Sequence, residues 1–258
     1  HSHSLGSLHL LPREIDKERY SGMTLTAQGS NMSTTESHSP LNDFIEFPAE
    51  EMSARAEQNY QQLKRRHSIR SFSDRPVAKD IIENCIRAAG TAPSGANHQP
   101  WHFVAINSAE VKGQIRQAAE ELERSFYEGR AGQEWLEALK PLGTHASKPY
   151  LETAPWLIAV FSQKKGGMSN DGEQTNYYVH ESVGIATGFL LQALHNAGLG
   201  TLTHTPKPMS FLSKICGRDN DVDRPYMLIV TGYPAEGATI PEHATHKKPL
   251  SDIATFME

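Results

Sequence analysis

Residues 90–106 read GTAPSGANHQPWHFVAI. Two prolines, several small residues and an asparagine stand between a helical pattern and an apolar run. Glycine and proline punctuate a chain, and the aromatic and β-branched residues of WHFVAI favour a strand. Upstream, Asp80 to Ala89 places Ile81, Ile82, Cys85, Ile86 and Ala89 on one helical stripe. Downstream, after NSAE, the spacing predicts a long helix with Val111, Ile115, Ala118, Leu122 and Phe126 on its core face. The quoted stretch is therefore a helix-to-strand loop. Its small residues let backbone approach another surface closely.

Working outward, Glu50 to Arg66 suits a polar helix ending in a basic cluster, followed by the extended piece SIRSFSDRP. EWLEALK is a helical turn stopped by Pro141, APWLIAVFS a buried strand, and KKGGMSNDGEQ an exposed loop. The longest helix is predicted from Asn176 to Asn196, with Val179, Val183, Ala186, Leu190 and Ala193 or Leu194 inward. LGTLTHT reads as a strand, MSFLSKIC as a short helix and YMLIVTGYP as the last strand. Strands alternating with helices argue an α/β or α+β sandwich built as one domain. Gly184 and Gly188, four apart in the long helix, each cost helix stability. They point to a close approach, either by a second subunit or within one chain.

Composition narrows the function classes. The chain has 258 residues, 38% of them hydrophobic and 21% charged, with a net charge of -5. No basic field calls for nucleic acid. The longest apolar stretch, Val183 to Leu202, carries Gln192, His195 and Asn196 and reads as buried helix running into strand, not as a membrane span. Cys85 and Cys216 are too few for a disulfide framework or a cysteine zinc site. A reducing, cytoplasmic compartment is the expectation. His243 and His246 lack carboxylate or thiol company, so no metal is expected there. No signal-peptide pattern opens the chain; residues 1–40 are expected to be disordered, tag-like or upstream sequence, with Met32 a plausible start. Residues 41–258 are expected to form the single functional domain.

Chemistry is suggested first by KRRHSIRSF, residues 64–72. In an extended segment alternate side chains share a face, so Arg66, Ser68 and Arg70 would point together. Two guanidiniums and a hydroxyl can cradle a phosphate, although a solvated basic patch at a helix end has the same composition. AGLGTL carries only two glycines of a dinucleotide fingerprint and follows a helix, the reverse of what that motif needs.

Three marks in order, Arg65 to Phe72 (RRHSIRSF), Ala92 to Trp101 (APSGANHQPW) and Gly232 to Pro234 (GYP), resemble the FMN-dependent nitroreductase superfamily. The resemblance runs from about Lys64 to the C-terminus. It implies a mainly antiparallel sheet flanked by helices, and an intertwined homodimer with shared active sites. AGTAPSGA, KPYLETAP, THTPKP, and Glu123 and Tyr127 upstream of Lys148 are most similar to the iodotyrosine deiodinase branch. That likeness implies reductive dehalogenation of mono- and di-iodotyrosine to tyrosine and halide. Glu123 would take the α-ammonium, Lys148 the α-carboxylate, Tyr127 would add a hydroxyl, and the Ala96 N–H would bind the phenolate. FMN would be held by Arg66, His67, Ser68, Ile69, Arg70, Pro93, Ser94, Gly95, Thr203, His204, Thr205 and Lys247. Thr205, the catalytic candidate, would donate to the flavin N5 and favour one-electron steps. Gly129 and Gly132 suggest a lid over the pocket.

Three residues depart from the branch pattern: His67 and Lys247 stand at usual arginine positions, and His204 interrupts a usual threonine run. They bear on flavin affinity more than on substrate choice. The electron donor implied is NAD(P)H, directly or through a reductase. Two other readings remain open: an NAD(P)H-dependent nitroreductase or quinone reductase, and a flavin- or halotyrosine-binding protein without turnover.

Overall fold

The run WLIAVFS has no polar face, so as a strand it must be covered on both sides. In the computed structural model, which describes residues 38–125, 137, 146–168 and 172–258, it forms β2 (Trp156–Gln163), buried along all but its last residue. β2 lies inside a four-stranded sheet of order β1-β2-β4-β3, completed by β1 (Trp101–Ile106), β3 (Gly200–His204) and β4 (Asp223–Gly232). All three ladders are antiparallel. The sandwich anticipated from alternating elements is thus α+β.

Strand side chains alternate between faces, and here each face meets helices. Leu157, Ala159 and Phe161 join a core with α3 (Ala109–Ser125), the single turn α4 (Tyr150–Thr153) and α6 (Ser210–Ile215). Trp156, Ile158 and Val160 join a second core with α2 (Lys79–Ala89) and α5 (Val179–Asn196). Each fully buried Leu, Ile or Phe contributes roughly 1.5–3 kcal/mol by leaving water.

Four expectations shift. On α3 the buried positions are Lys112, Ile115 and Ala119; Val111, Ala118 and Leu122 are only partly covered. Lys112 can be buried because its ammonium donates to the carbonyls of Glu152 (2.9 Å) and Ala154 (2.8 Å), while its stem packs like an apolar chain. The last strand begins at Asp223, before Pro225, because the register slips between Val160 and Phe161 opposite. A bulge tolerates a residue without an N–H. α5 starts at Val179 instead of Asn176, since Tyr178 turns left-handed at φ 49°. Gly184 faces its own chain, where a Cβ would meet the Tyr226 hydroxyl at 3.2 Å; Gly188 faces open space. Phe126 and most of EWLEALK lie outside the described residues.

α1 (Ala49–Lys64) is the polar helix expected, with no buried residue. A last turn, α7 (Leu250–Ile253), lies near the C-terminus. Pro48–Glu258 forms one compact unit. Within the unit His1–Phe47, the described residues 38–47 carry no helix or strand. Among the described residues, no helix is long and apolar enough to cross a membrane.

Candidate active site

The basic segment after α1 is laid against the sheet edge. Ile69 donates its N–H to the Thr201 carbonyl (3.0 Å), and Ser68 makes an isolated parallel bridge to Thr201. This places Arg65, Arg66 and His67 on a cleft of ≈ 430 Å³ whose other walls include His195, Thr201 and Thr239. Ser68 and Arg70 stand outside that lining, whereas Ile69 is part of it. Of the expected trio of Arg66, Ser68 and Arg70, Arg66 lines this cleft. His67 is held below its ordinary pKa, first by burial and then by the cations of Lys247, Arg66 and His195. Those three cations therefore lie close enough to act on His67. Among the described residues, the guanidiniums of Arg65 and Arg66 have no hydrogen-bond or ion-pair partner. Clustered cations without counter-charges make an anion site.

β3 leads from this cleft to a second cluster, about 13 Å away at 3.3 Å per residue. Thr203 within it and Thr205 just beyond it are exposed, while His204 between them is buried. The His204 side chain is thus turned into the fold, away from the exposed Thr203 and Thr205. It is 7% exposed, its Nε2 has no partner, and Tyr150 meets the ring edge-on at 6.0 Å. Burial, and then the Lys148 charge, lowers its pKa to about 4.

Lys148 is itself buried, with its Nζ 3.3 Å from Glu123 Oε2 near the end of α3. Its backbone N–H donates to Glu120 Oε1 (2.7 Å), which also accepts from Arg116 Nε (2.7 Å). Burial pushes Glu120 upward, but the bonds from Arg116 and the Lys148 amide outweigh it and hold the carboxylate below its ordinary pKa. A cation and an anion are thus presented side by side in a partly dry setting. Tyr127, and the lid glycines Gly129 and Gly132, lie outside the described residues.

The loop of residues 93–99 sits elsewhere. It precedes β1, on the sheet edge opposite β3, about 14 Å across three strand spacings. It docks at the start of α5, where the Gly95 N–H reaches Ser182 Oγ (3.4 Å). About 20 Å of helix, at 1.5 Å per residue, separates Ser182 from His195 at the basic cleft. A Cβ on Gly95 would lie 2.7 Å from the Tyr177 carbonyl oxygen, so only glycine fits. Ala96, Asn97 and Gln99 all have left-handed φ, at 51°, 56° and 50°. The Ala96 N–H has no partner among the described residues, and the residue is exposed. One chain therefore brings together Arg66, His67 and Lys247, and separately Glu123, Lys148 and His204, with Thr203 and Thr205 strung between. Pro93, Ser94, Gly95 and Ala96 are left on the far edge.

A helix-covered antiparallel sheet, a cationic cleft at its edge and a small-residue loop at the start of the long helix define the class. The chain belongs to the nitroreductase family, whose sequence model matches residues 63–233. It is similar to iodotyrosine deiodinase of Haliscomenobacter hydrossis, with 49% identity over 197 residues, covering 76% of this chain and 88% of that protein. It is also similar to iodotyrosine deiodinase 1 of Homo sapiens, at 42% over 208 residues, 80% of this chain and 71% of that protein. A crystal structure of oxidised iodotyrosine deiodinase bound to FMN and 3-iodo-L-tyrosine matches with a TM-score of 0.60 and 33% identity. That match covers 69% of this chain and 90% of the other.

Sequence reasoning overlooked two sets of residues. His195 enters the cleft from the last turn of α5, held by its Nε2 bond to the Gln62 carbonyl (2.7 Å). Its place in that turn as a basic residue was the available signal. His98 lies far in the chain from Asn176 and Ser182, which with it hold the loop, and the three form no motif.

Proposed function

We propose that this protein binds FMN and catalyses reductive dehalogenation of halotyrosines. The observation that carries the reading is the buried Lys148–Glu123 pair at the end of the Thr203–Thr205 row. An amino acid offers the complementary charges at a comparable spacing. Its ammonium on Glu123 and its carboxylate on Lys148 close a ring of four alternating charges. In a site from which water is excluded such contacts strengthen. A nitroaromatic or quinone makes no use of them.

The residues present fit FMN. Arg66, His67 and Lys247 would hold its phosphate, and the exposed hydroxyls of Thr203 and Thr205 line the path from there toward the ion pair. When bound, FMN supplies two electrons, so that the carbon–halogen bond is replaced by carbon–hydrogen with one proton taken up and halide released. The protein would orient: the Thr205 hydroxyl would donate toward the bound cofactor, Tyr127 would add a hydroxyl to the clamp, and the Ala96 N–H would donate to the phenolate oxygen. Ala96 reaches the site from a second copy of the chain, since its own β3 lies across the sheet. The partly exposed Ile185 and Phe189 beside Gly188, and an α1 without buried residues, support such a homodimer. We assign this activity to the domain of residues 41–258, with NAD(P)H as electron source, directly or through a reductase. The two free thiols suit the cytoplasm.

Anaerobic titration of the reduced, FMN-loaded protein with 3-iodotyrosine tests the reading. Flavin oxidation with stoichiometric tyrosine and iodide is expected. Reduced protein that ignores iodotyrosine but is reoxidised by nitrofurazone or menadione is a nitroreductase instead. Bound FMN and iodotyrosine without any reoxidation would mean a binding protein. A separate prediction concerns the cleft: Arg66→Ala is expected to weaken FMN binding by about 10- to 100-fold, one charge-assisted contact. Equilibrium titration of apoprotein with FMN checks this, and an unchanged Kd removes Arg66 from the phosphate site.

A further inference from the structure

Four non-glycine residues among those described have left-handed φ, and they meet at one place. Ala96, Asn97 and Gln99 lie in the loop; Tyr178 lies where the loop docks, its side chain close to Gly95. Left-handed backbone is unfavourable for residues with a Cβ and persists where the surroundings impose it. Two anchors do so. At one end Ser182 Oγ accepts from the Gly95 N–H (3.4 Å) while donating to the Tyr178 carbonyl (2.6 Å). At the other end the anchor is buried: His98, 6% exposed, bonds through Nδ1 to Asn176 Oδ1 at 3.1 Å.

Asn176 is pinned to the end of β2. Its N–H donates to the Lys164 carbonyl (3.0 Å) and its Nδ2 to the Gln163 carbonyl (2.8 Å). Its Oδ1 accepts from the Gly167 N–H (2.9 Å). These bonds settle which end of the amide is oxygen, so His98 must carry its proton on Nδ1. Only Asn97 stands in the chain between His98 and Ala96, whose N–H has no partner among the described residues.

We propose that Asn176, through His98, is the positioning residue of the phenolate site, holding the Ala96 N–H aimed before the ligand arrives. A donor already in place needs no reorganisation when charge reaches it. The inference rests on the reading of Ala96 above and adds the residues that make it work.

The test uses FMN-loaded protein and two ligands, 3-iodotyrosine and 3-iodophenylalanine, which lacks the phenol. Affinities are measured by flavin fluorescence across the ionisation of the iodophenol. The parent is expected to gain affinity for iodotyrosine as the phenol ionises. Asn176→Ala loses that gain, about tenfold or more, yet binds FMN and iodophenylalanine as the parent does. His98→Asn, which keeps a donor at the δ position, retains the gain, and His98→Leu loses it. Should Asn176→Ala fail to fold, the two His98 variants decide by the same readout. A pH-linked gain that survives in Asn176→Ala, or in His98→Leu, overturns the positioning role alone. A parent that shows no gain at all overturns the phenolate reading of Ala96, and this inference with it.

Discussion

Replacing Glu123 by glutamine is expected to lower affinity for 3-iodotyrosine by two to three orders of magnitude while FMN binding stays as it was. The carboxylate is largely buried against the Lys148 ammonium at 3.3 Å. Removing one member of a buried ion pair costs about 3–5 kcal/mol. The same substitution replaces the anionic acceptor for the substrate ammonium with a neutral amide oxygen. Comparing iodotyrosine with its des-amino analogue, in the parent and in Glu123→Gln, closes a double-mutant cycle. The parent is expected to prefer iodotyrosine strongly and the variant to show little preference. Equal discrimination in both would remove Glu123 from the clamp.

Acid should destabilise this protein through His204. The unfolded imidazole takes up its proton as pH falls through 6.5, whereas the folded one resists until about 4. The folded pKa is depressed, so stability is whole above 6.5, is lost progressively between 6.5 and 4, and then levels off. One group shifted that far corresponds to about 3 kcal/mol. The Lys148 ammonium beside it acts in the same direction, and the Tyr150 ring meets it edge-on. His67 and His102 are also held below 6.5, each first by burial, and add to the slope with the same sign. Glu120, held below 4.5, contributes only in stronger acid. Urea denaturation of the parent and of His204→Thr, at pH 7 and at pH 4.5, isolates the term. The variant is expected to lose much less stability between the two, and equal losses would refute the assignment.

How far the fold is legible in the residues varies by element. β1 occurs as WHFVAI reads, because a Pro before it and NS after it bound an apolar run. β2 was readable as doubly covered, since no residue of WLIAVFS suits water. The stripe on α3 was harder to read because Lys112 counts as polar in any periodicity, yet the carbonyls of Glu152 and Ala154 satisfy its ammonium inside the protein. The glycine pair of α5 carried two different reasons that spacing cannot separate, a Tyr226 hydroxyl at one position and open space at the other.

The cationic segment and the small-residue loop belong to the sequence, because residue type sets charge, reach and backbone freedom; Glu123 and Lys148 were grouped only by the family resemblance. Where they meet is a matter of tertiary structure. The strand order β1-β2-β4-β3 carries the loop to one edge and the threonine row to the other, and local patterns do not encode which strands become neighbours. Nor could the chain alone reveal that His204 would be buried beside a lysine, or that Asn176 would hold a histidine far away in sequence. Those outcomes follow from desolvation and hydrogen-bond satisfaction, which exist only once distant segments have packed.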